Sequence, residues 1–425
     1  MKTTIGKIAA LVLVLILLLS MAACGGTSPA PSGQDQQDGK KNEAEEQTVP
    51  EDEPADGGED PGETPSGDGA AIDPKAPVIE GLTYESTLQL DYAKCFQVYR
   101  YQGGYSVIRV DDGNNYILIP EGGSVPEGLP SDVTVIRKPM NSIYNAATAS
   151  MSLFAAMDGL DSVTMCSLEE SGWYTQAVAD AMHEGKMTFA GKYSAPDFEQ
   201  LLDKKCCLAI ESTMIWHKPD IMEKIQELGI PVFIDRASYE TNPLGRMEWI
   251  KLYGEIIDRR EAAAEYFDSQ IGQVEELYAL ENTGKTVAFF YINSNNAVVV
   301  RKSNDYLAKM IDIAGGKYVF DNLGTEDESA TATVQMSMEE FYGSASQADY
   351  LIYNASIADP VGSLNELLGK SQMFANFKAV QEGNVWCTDK SLYQATDAIG
   401  TIIMDIHKML TEPAADKLDF IYRLS

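Results

Sequence analysis

The feature that most constrains the fold is a long amphipathic stretch at the middle of the chain, residues 243–280. Apolar residues recur in it at helical spacing, and no proline follows Pro243, a residue that suits a first helical turn. Such a helix would be roughly 45–55 Å long at about 1.5 Å per residue. The simplest interpretation is two α/β lobes joined by one long helix, with a cleft between them.

The segments on either side of this stretch predict the fold class, α/β. Short apolar strands alternate with amphipathic helices over 133–234 and again over 286–410, which favours a doubly wound parallel sheet in each lobe. Residues 139–144 are predicted to be a loop within the first of these segments. Loops that follow parallel strands meet at one edge of a sheet, where ligands bind. Before the first lobe, alternating apolar residues and glycine turns over 88–120 predict an N-terminal β-meander.

The first 80 residues have a different character. Residues 1–23 carry two lysines and then a short apolar run, the layout of a signal peptide. The small residues before Cys24 resemble the lipobox of bacterial lipoproteins, in which the cysteine is lipidated and becomes the mature N-terminus. The alternative is an ordinary secretory signal followed by a free cysteine. Residues 24–80 are acidic and rich in Gly, Pro and Ser, which predicts a disordered tether.

Charge and cysteine usage exclude several classes of function. The net charge of −32 at pH 7 argues against binding to nucleic acid and against direct adhesion to anionic lipid. The cysteines after Cys24 show no zinc-binding spacing, and their odd number favours reduced, buried thiols. We therefore expect no resident metal or cofactor.

Four runs of residues carry a family resemblance, which covers the chain from about Thr134 onward. The layout resembles the substrate-binding proteins of bacterial ABC importers whose lobes are joined by one rigid helix and which capture ferric siderophores, haem or cobalamin. The matching runs lie within 199–235 and at 242–249, 310–316 and 377–385. The implied plan is a signal peptide at 1–23, the lipidated cysteine and tether at 24–80, the β-meander at 81–130, the N-terminal lobe at 131–242, the bridging helix at 243–281 and the C-terminal lobe at 282–425.

The resemblance implies partners and a location. One glutamate per lobe would pair with arginines of an ABC permease dimer that works with an ATPase, and the counterparts here are Glu199 and Glu339, with Glu340 a close competitor. Both glutamates would open helices after an Asp or Ser cap, which presents the carboxylate outward. A lipid on Cys24 would hold a monomer at the outer face of the cytoplasmic membrane.

The ligand site should be built from loops that face the cleft. Aromatic residues stack on flat or macrocyclic ligands, and arginines pair with carboxylates or catecholates. We expect the site among Asn141, Ser142, Tyr144, Trp173, Trp216, His217, Arg246, Tyr291, Asn293, Arg301, Tyr353 and Tyr393. Haem would need an axial His or Tyr, and the sole histidine near a predicted loop edge, His217, better suits a capping or packing role. A ferric siderophore is therefore the first choice of cargo, followed by cobalamin and haem.

Two other classes of function are alternatives. A membrane-tethered cell-surface hydrolase would need a recognisable nucleophile or metal motif, and neither G-x-S-x-G nor H-E-x-x-H occurs in the sequence. A carboxylate pair in so acidic a chain stays open as a catalytic arrangement. A lipid-tethered adhesion module is the third alternative. The sequence favours a binding protein rather than an enzyme.

Overall fold

The computed structural model describes residues 73–324 and 333–425, which belong to one compact unit. The expected signal peptide, Cys24 and most of the tether lie outside the described residues. No helix in the described part of the chain is both long and apolar enough to cross a membrane. All five cysteines within it are free thiols, as the odd count predicts.

An N-terminal sheet of five strands precedes the two lobes. Its strands are β1 (Tyr84–Thr87), β2 (Phe96–Tyr101), β3 (Tyr105–Val110), β4 (Asn115–Ile119) and β5 (Val133–Arg137). The first four form the predicted antiparallel meander. The sequence assigned β5 to the N-terminal lobe, but this strand pairs in parallel with β4 and completes the first sheet. The loop of residues 120–132 is long enough to bring β5 back alongside β4 in the parallel direction.

The last residues of the expected tether are part of this sheet's packing. Asp73 accepts a hydrogen bond from Thr87 at 3.0 Å, and Ala76 and Ile79 pack on the face of the sheet that carries Tyr99 and Ile117. Residues 73–80 are therefore ordered. The expectation that the tether extends to residue 80 is wrong for this part, because apolar residues of the sheet give it a surface to cover.

The first lobe is a five-stranded parallel sheet with the order β12-β11-β6-β7-β8. Its strands are β6 (Ile143–Asn145), β7 (Val163–Cys166), β8 (Thr188–Phe189), β11 (Leu208–Ser212) and β12 (Val232–Asp235), with a separate ribbon of β9 (Gly191–Lys192) and β10 (Ala195–Pro196). Its helices are α1 (Met151–Ala156), α2 (Gln176–His183), α3 (Phe198–Asp203) and α4 (Pro219–Glu227). The parallel sheet confirms the predicted class for this lobe.

Two helices, not one, connect the lobes. Helix α5 (Pro243–Ile256) ends where Asp258 adopts a positive φ of 59°, and α6 (Arg260–Val274) begins two residues later. The buried Lys138 ammonium donates to the carbonyl of Glu255 at 2.7 Å and to the Asp258 carboxylate at 2.5 Å, so it caps the end of α5. The expectation of one uninterrupted rod is therefore wrong.

Helix α5 is nonetheless the element that both lobes share. Every residue of it except Lys251 is buried. The Tyr253 ring packs 4.9 Å from that of Phe154 in the first lobe, and the Arg246 guanidinium lies 3.7 Å from the ring centre of Tyr306 in the second. The two lobes keep separate sheets and meet across this helix, as the two-lobe interpretation requires.

The second lobe contains a seven-stranded sheet with β13 (Thr286–Ile292), β14 (Val298–Arg301), β15 (Lys317–Tyr318), β16 (Thr333–Met336), β17 (Tyr350–Tyr353), β18 (Val385–Thr388) and β19 (Ile421–Arg423). Its helices are α7 (Tyr306–Ile313), α8 (Met338–Ala345), α9 (Leu364–Lys370), α10 (Lys378–Glu382) and α11 (Ile399–Thr411). The centre is parallel, but β14, β16 and β19 run antiparallel to their neighbours. The loop between β13 and β14 is too short for a parallel crossover, so it closes a hairpin.

Three buried carboxylates, which we call the rear carboxylates, fix the N-terminal sheet to α5. Glu248 accepts backbone N–H groups of residues 91, 92 and 93, and Glu240 accepts those of 94 and 95 together with the indole N–H of Trp249. Glu255 accepts from Arg100, Ser106 and Arg260. Five consecutive backbone donors are thus bound by two side chains.

Candidate functional site

A cleft of about 560 Å³ lies between the two lobes. On the first lobe its walls come from the loops that follow β6, β7, β11 and β12, and on the second from the loops that follow β17 and β18 and from helices α7 and α11. The carboxyl ends of the parallel strands therefore form the site, as expected for open α/β sheets. The lining comprises 146–150, 153, 167–168, 192–193, 212–214, 235, 237–238, 246, 301, 306, 310, 357, 392–393, 395–396, 399 and 402.

Arg246 of α5 contributes the buried base of the cleft. Its guanidinium donates to the carbonyl of Ser238 at 2.6 Å and to that of Glu240 at 3.3 Å, and it stacks on the Tyr306 ring. Burial lowers the pKa of the Arg246 guanidinium, and the nearby Arg301 adds to this effect. This guanidinium contacts two carbonyls and a ring, which suits a site for an anionic group.

Arg301 stands on the second lobe beside a fully buried carboxylate. Its guanidinium lies 3.4 Å from Asp305, which also accepts the backbone N–H of Leu307 at 2.9 Å and caps helix α7. Burial raises the pKa of Asp305, while Arg301 and the N–H of Leu307 act in the opposite direction. The helix cap holds the carboxylate, and the carboxylate holds the arginine at the cleft.

Asp235 ties the floor of the first lobe to α5. Its carboxylate accepts the N–H of Ala237 at 2.9 Å and the hydroxyl proton of Tyr253. Burial raises the pKa of Asp235, and the two hydrogen bonds and Arg246 oppose that shift. Among the lining residues Asp235 is the one acidic side chain, against Lys192, Arg246 and Arg301. The cleft of this acidic protein is therefore locally basic.

The wall formed by residues 146–150 consists of small side chains, which leave room beside the backbone. Asn145 at the end of β6 accepts the N–H of Ala147 at 3.0 Å, and the hydroxyl of Ser150 donates to the carbonyl of Ala147 at 2.8 Å. These bonds fold the chain tightly into α1. None of residues 146–150 is among the ligand residues expected from the sequence.

Three of the twelve expected ligand residues line the cleft, namely Arg246, Arg301 and Tyr393. Asn141, Ser142 and Tyr144 do not. The loop expected at 139–144 is wrong at its end, because residues 143–145 form strand β6 and residues 141 and 142 lie at its opposite end. Ser142 donates to the carbonyl of Lys204 at 2.7 Å, and the fully buried Tyr144 donates to that of Gly191 at 2.9 Å.

The other six expected ligand residues lie outside the lining of the cleft, each pair for a different reason. Trp173 is buried, and Tyr353 is fully buried in the core of the second lobe. Trp216 and His217 are exposed on the short turn after β11, where the Trp216 ring packs 5.5 Å from the guanidinium of Arg236. Tyr291 and Asn293 lie at the β13–β14 hairpin, whose turn the Asn293 side chain stabilises.

Several lining residues were not among the sequence candidates. They are small or apolar for the most part, and the exceptions are Lys192, Tyr193, Asp235 and Tyr306. Tyr306 directly follows the capping Asp305, a position that could have pointed to a helix opening onto the cleft. Within the described residues, no group of three or more His, Cys, Asp or Glu side chains could hold a metal ion.

The two expected docking glutamates both occupy first turns of helices. Glu199 is exposed in α3 after the cap Asp197, which accepts the N–H of Gln200. Glu339 is exposed in α8 after the cap Ser337. Glu340 completes the capping box by accepting the N–H of Ser337 at 2.7 Å, and this bond lowers the pKa of Glu340. Its carboxylate is thus engaged locally, which favours Glu339 over Glu340 for an intermolecular role.

Comparison with known proteins identifies the family. Residues 146–392, more than half of the chain, match the model of the periplasmic binding protein family. The chain belongs to that family. Its members are extracytoplasmic substrate-binding proteins of ABC importers and not enzymes, so the hydrolase alternative is not supported. A permease and an ATPase are the partners that this membership implies.

One sequence relative and two solved structures illustrate what the chain is similar to. The binding protein is 26% identical to an uncharacterized lipoprotein of Methanocaldococcus jannaschii over 72% of this chain and 74% of the relative. Its fold is similar to the petrobactin-binding protein YclQ of Bacillus subtilis, with a TM-score of 0.54 and 13% identity over 72% of this chain and 98% of that one. It is also similar to the periplasmic haem-binding protein HutB of Vibrio cholerae, with a TM-score of 0.51 and 17% identity over 64% and 98%.

Proposed function

We propose that this binding protein is a lipid-anchored monomer that captures a ferric siderophore between its lobes and delivers it to an ABC permease dimer and its ATPase. The observation that carries the choice of cargo is the pair of buried arginines, Arg246 and Arg301, in the cleft of an acidic protein. Iron chelates built from catecholates or carboxylates are anionic, and guanidinium groups pair with such oxygens.

The size of the cleft supports a compact small-molecule chelate. Its volume of about 560 Å³ lies within the range usual for small-molecule sites, about 300–1,000 Å³. Small residues on one wall and Tyr193, Tyr306 and Tyr393 elsewhere suit a ligand with flat rings. The fold likeness to the petrobactin-binding protein is consistent with this class of cargo.

Haem and cobalamin are the next candidates. Haem iron would need an axial His or Tyr, and His217 is not among the lining residues. A tyrosine of the lining would then have to serve, and the Tyr306 ring is already covered by Arg246. The arginines favour an anionic chelate over cobalamin, and the absence of a histidine from the described lining residues favours it over haem.

A fluorescence titration tests the cargo. The four tryptophans report on addition of a ferric tris-catecholate, a neutral ferric trihydroxamate, haemin or cyanocobalamin. We expect saturable binding of the tris-catecholate, and a loss of about 10–100-fold in affinity for Arg246→Met, since a charge-assisted hydrogen bond is lost. Arg259→Met, which removes an exposed guanidinium, is the matched control. Unchanged binding by Arg246→Met, or binding of cyanocobalamin alone, would reject the proposed cargo.

Docking is tested separately from capture. In cells that take up the cargo, Glu199→Arg with Glu339→Arg should abolish uptake while affinity in solution stays unchanged, because the carboxylates that would meet permease arginines are reversed in charge. Glu223→Arg with Glu382→Arg reverses one exposed glutamate in each lobe at other positions and should leave uptake intact. Normal uptake by the first double variant would discredit this docking assignment.

The lipid anchor rests on the sequence around Cys24 and on the lipoprotein relative. The variant Cys24→Ser should release the protein from the membrane fraction into the soluble fraction, because the acyl attachment point is lost. Retention of that variant on the membrane would contradict lipid attachment at Cys24.

A further inference from the structure

One segment of the second lobe, residues 389–398 between β18 and α11, touches both the cleft and the opposite lobe. Leu392, Tyr393, Ala395 and Thr396 line the cleft, and Tyr393 is 51% exposed. The residue between them, Gln394, is buried and points elsewhere. Cleft-lining and lobe-bridging side chains thus alternate within a few residues.

The Gln394 amide joins the lobes by two hydrogen bonds. Its nitrogen donates to the carbonyl of Gly172 at 2.8 Å, and its oxygen accepts the N–H of Tyr174 at 2.8 Å. Both partners belong to the first-lobe loop that follows β7, on either side of the buried Trp173. A side-chain amide supplies both the donor that the Gly172 carbonyl needs and the acceptor that the Tyr174 N–H needs.

A second contact from the same segment reinforces the first. The N–H of Asp397 donates to the hydroxyl of Ser152 in α1 at 3.3 Å, and the Asp397 carboxylate accepts the hydroxyl of Tyr266 in α6 at 3.2 Å. Gln394 and Asp397 are therefore attached to the first lobe and to the connecting helices, while Tyr393, Ala395 and Thr396 face the cargo site.

We propose that Gln394 is a positioning residue that clasps the two lobes at one side of the cleft and thereby holds Tyr393 against the cargo. The evidence for the clasp is the set of hydrogen bonds between the lobes, whereas its effect on cargo rests on the function proposed above. Opening the clasp moves the loop after β18 away from the loop after β7. Cargo then loses contacts from both walls, and it leaves faster.

The clasp can be tested without cargo. Acrylamide quenching of tryptophan fluorescence should rise in Gln394→Ala, because Trp173 between the two clasped residues gains access to the quencher. The increase should vanish when Gln394→Ala is made in a Trp173→Phe background, which assigns the signal to this indole. Gln394→Glu should behave like Gln394→Ala, since its carboxylate keeps the acceptor but faces the Gly172 carbonyl without a donor. Gln347→Ala, an exposed site in the same lobe, is the control.

Cargo kinetics then test the positioning role. With the ferric tris-catecholate as probe, Gln394→Ala should speed dissociation about tenfold, while the association rate changes much less. Unchanged quenching would overturn the clasp, and raised quenching with unchanged dissociation would overturn the positioning role. If none of the four titration probes binds the wild-type protein, the proposed cargo fails, and the quenching result still decides whether the lobes are clasped by Gln394.

Discussion

Buried charged groups on the two sides of helix α5 have different kinds of hydrogen-bond partner. Behind the helix, each rear carboxylate accepts at least three donors, and Glu248 alone binds three backbone N–H groups and Lys251. On the cleft side, the guanidinium of Arg246 is held by two backbone carbonyls and a tyrosine ring. The rear carboxylates are fully hydrogen-bonded and form a structural joint, whereas the Arg246 guanidinium donates to backbone carbonyls within the described residues and can pair with an anionic ligand.

The largest expected effect lies at the rear joint. Glu248→Ala should lower the free energy of unfolding by about 3–5 kcal/mol, because buried N–H groups and Lys251 lose their acceptor. Urea denaturation followed by circular dichroism measures the change. The exposed Glu265→Ala on α6 should shift stability by about 0.5 kcal/mol or less. A loss as small as that of the control would show that the rear carboxylates do not fix the sheet.

Arg246→Met should separate binding from stability. The substitution removes a buried guanidinium and keeps an apolar stem, so the free energy of unfolding should change by less than about 1 kcal/mol or increase. Thermal unfolding without cargo checks this expectation. A stability loss comparable to that of Glu248→Ala would mean that Arg246 is a structural charge like the rear carboxylates, and the contrast between the two sides of α5 would fail.

Glu211 predicts a pH dependence of stability. Burial raises the pKa of its carboxyl to about 8. The folded protein therefore holds this proton more tightly than the unfolded chain, and stability should fall between about pH 4.5 and 8, by at most about 1.4 kcal/mol per pH unit from this group. Glu211→Gln, which mimics the protonated form, should be the more stable protein at pH 8 and nearly equal to wild type at pH 4.5. Equal slopes of stability against pH for both proteins would contradict the assignment.

The sequence predicted the fold correctly where the hydrophobic periodicity of the segments and the topology of parallel sheets lead to the same structure. Alternating strands and helices were enough to predict two α/β lobes and the edge at which the cleft forms, and Arg246, Arg301 and Tyr393 were placed in it for that reason. The break between α5 and α6 had no local signal, since neither proline nor glycine occurs at 257–259. It depends on Lys138, which is distant in the chain and comes close only in the fold.

Other errors have an equally physical origin. Strand β6 is three residues long and directly follows the polar residues Asn141 and Ser142, so it looked like part of a loop, and Asn141, Ser142 and Tyr144 were wrongly expected at the cleft. The wall at 146–150 was missed because alanine and serine carry no chemical signature of a site. Its contribution is the space that those side chains leave, which only the assembled backbone reveals.

The path by which the chain enters the fold has a mechanical consequence. Residues 73–80 lie on the outer face of the N-terminal sheet, and the inner side of that sheet is bonded to the rear of α5, away from Arg246. Tension on the upstream segment therefore loads β1 and its neighbours first. The force is spread over five backbone N–H groups before it reaches the helix that the lobes share, so a pull on the chain upstream of residue 73 would leave the mouth of the cleft undistorted.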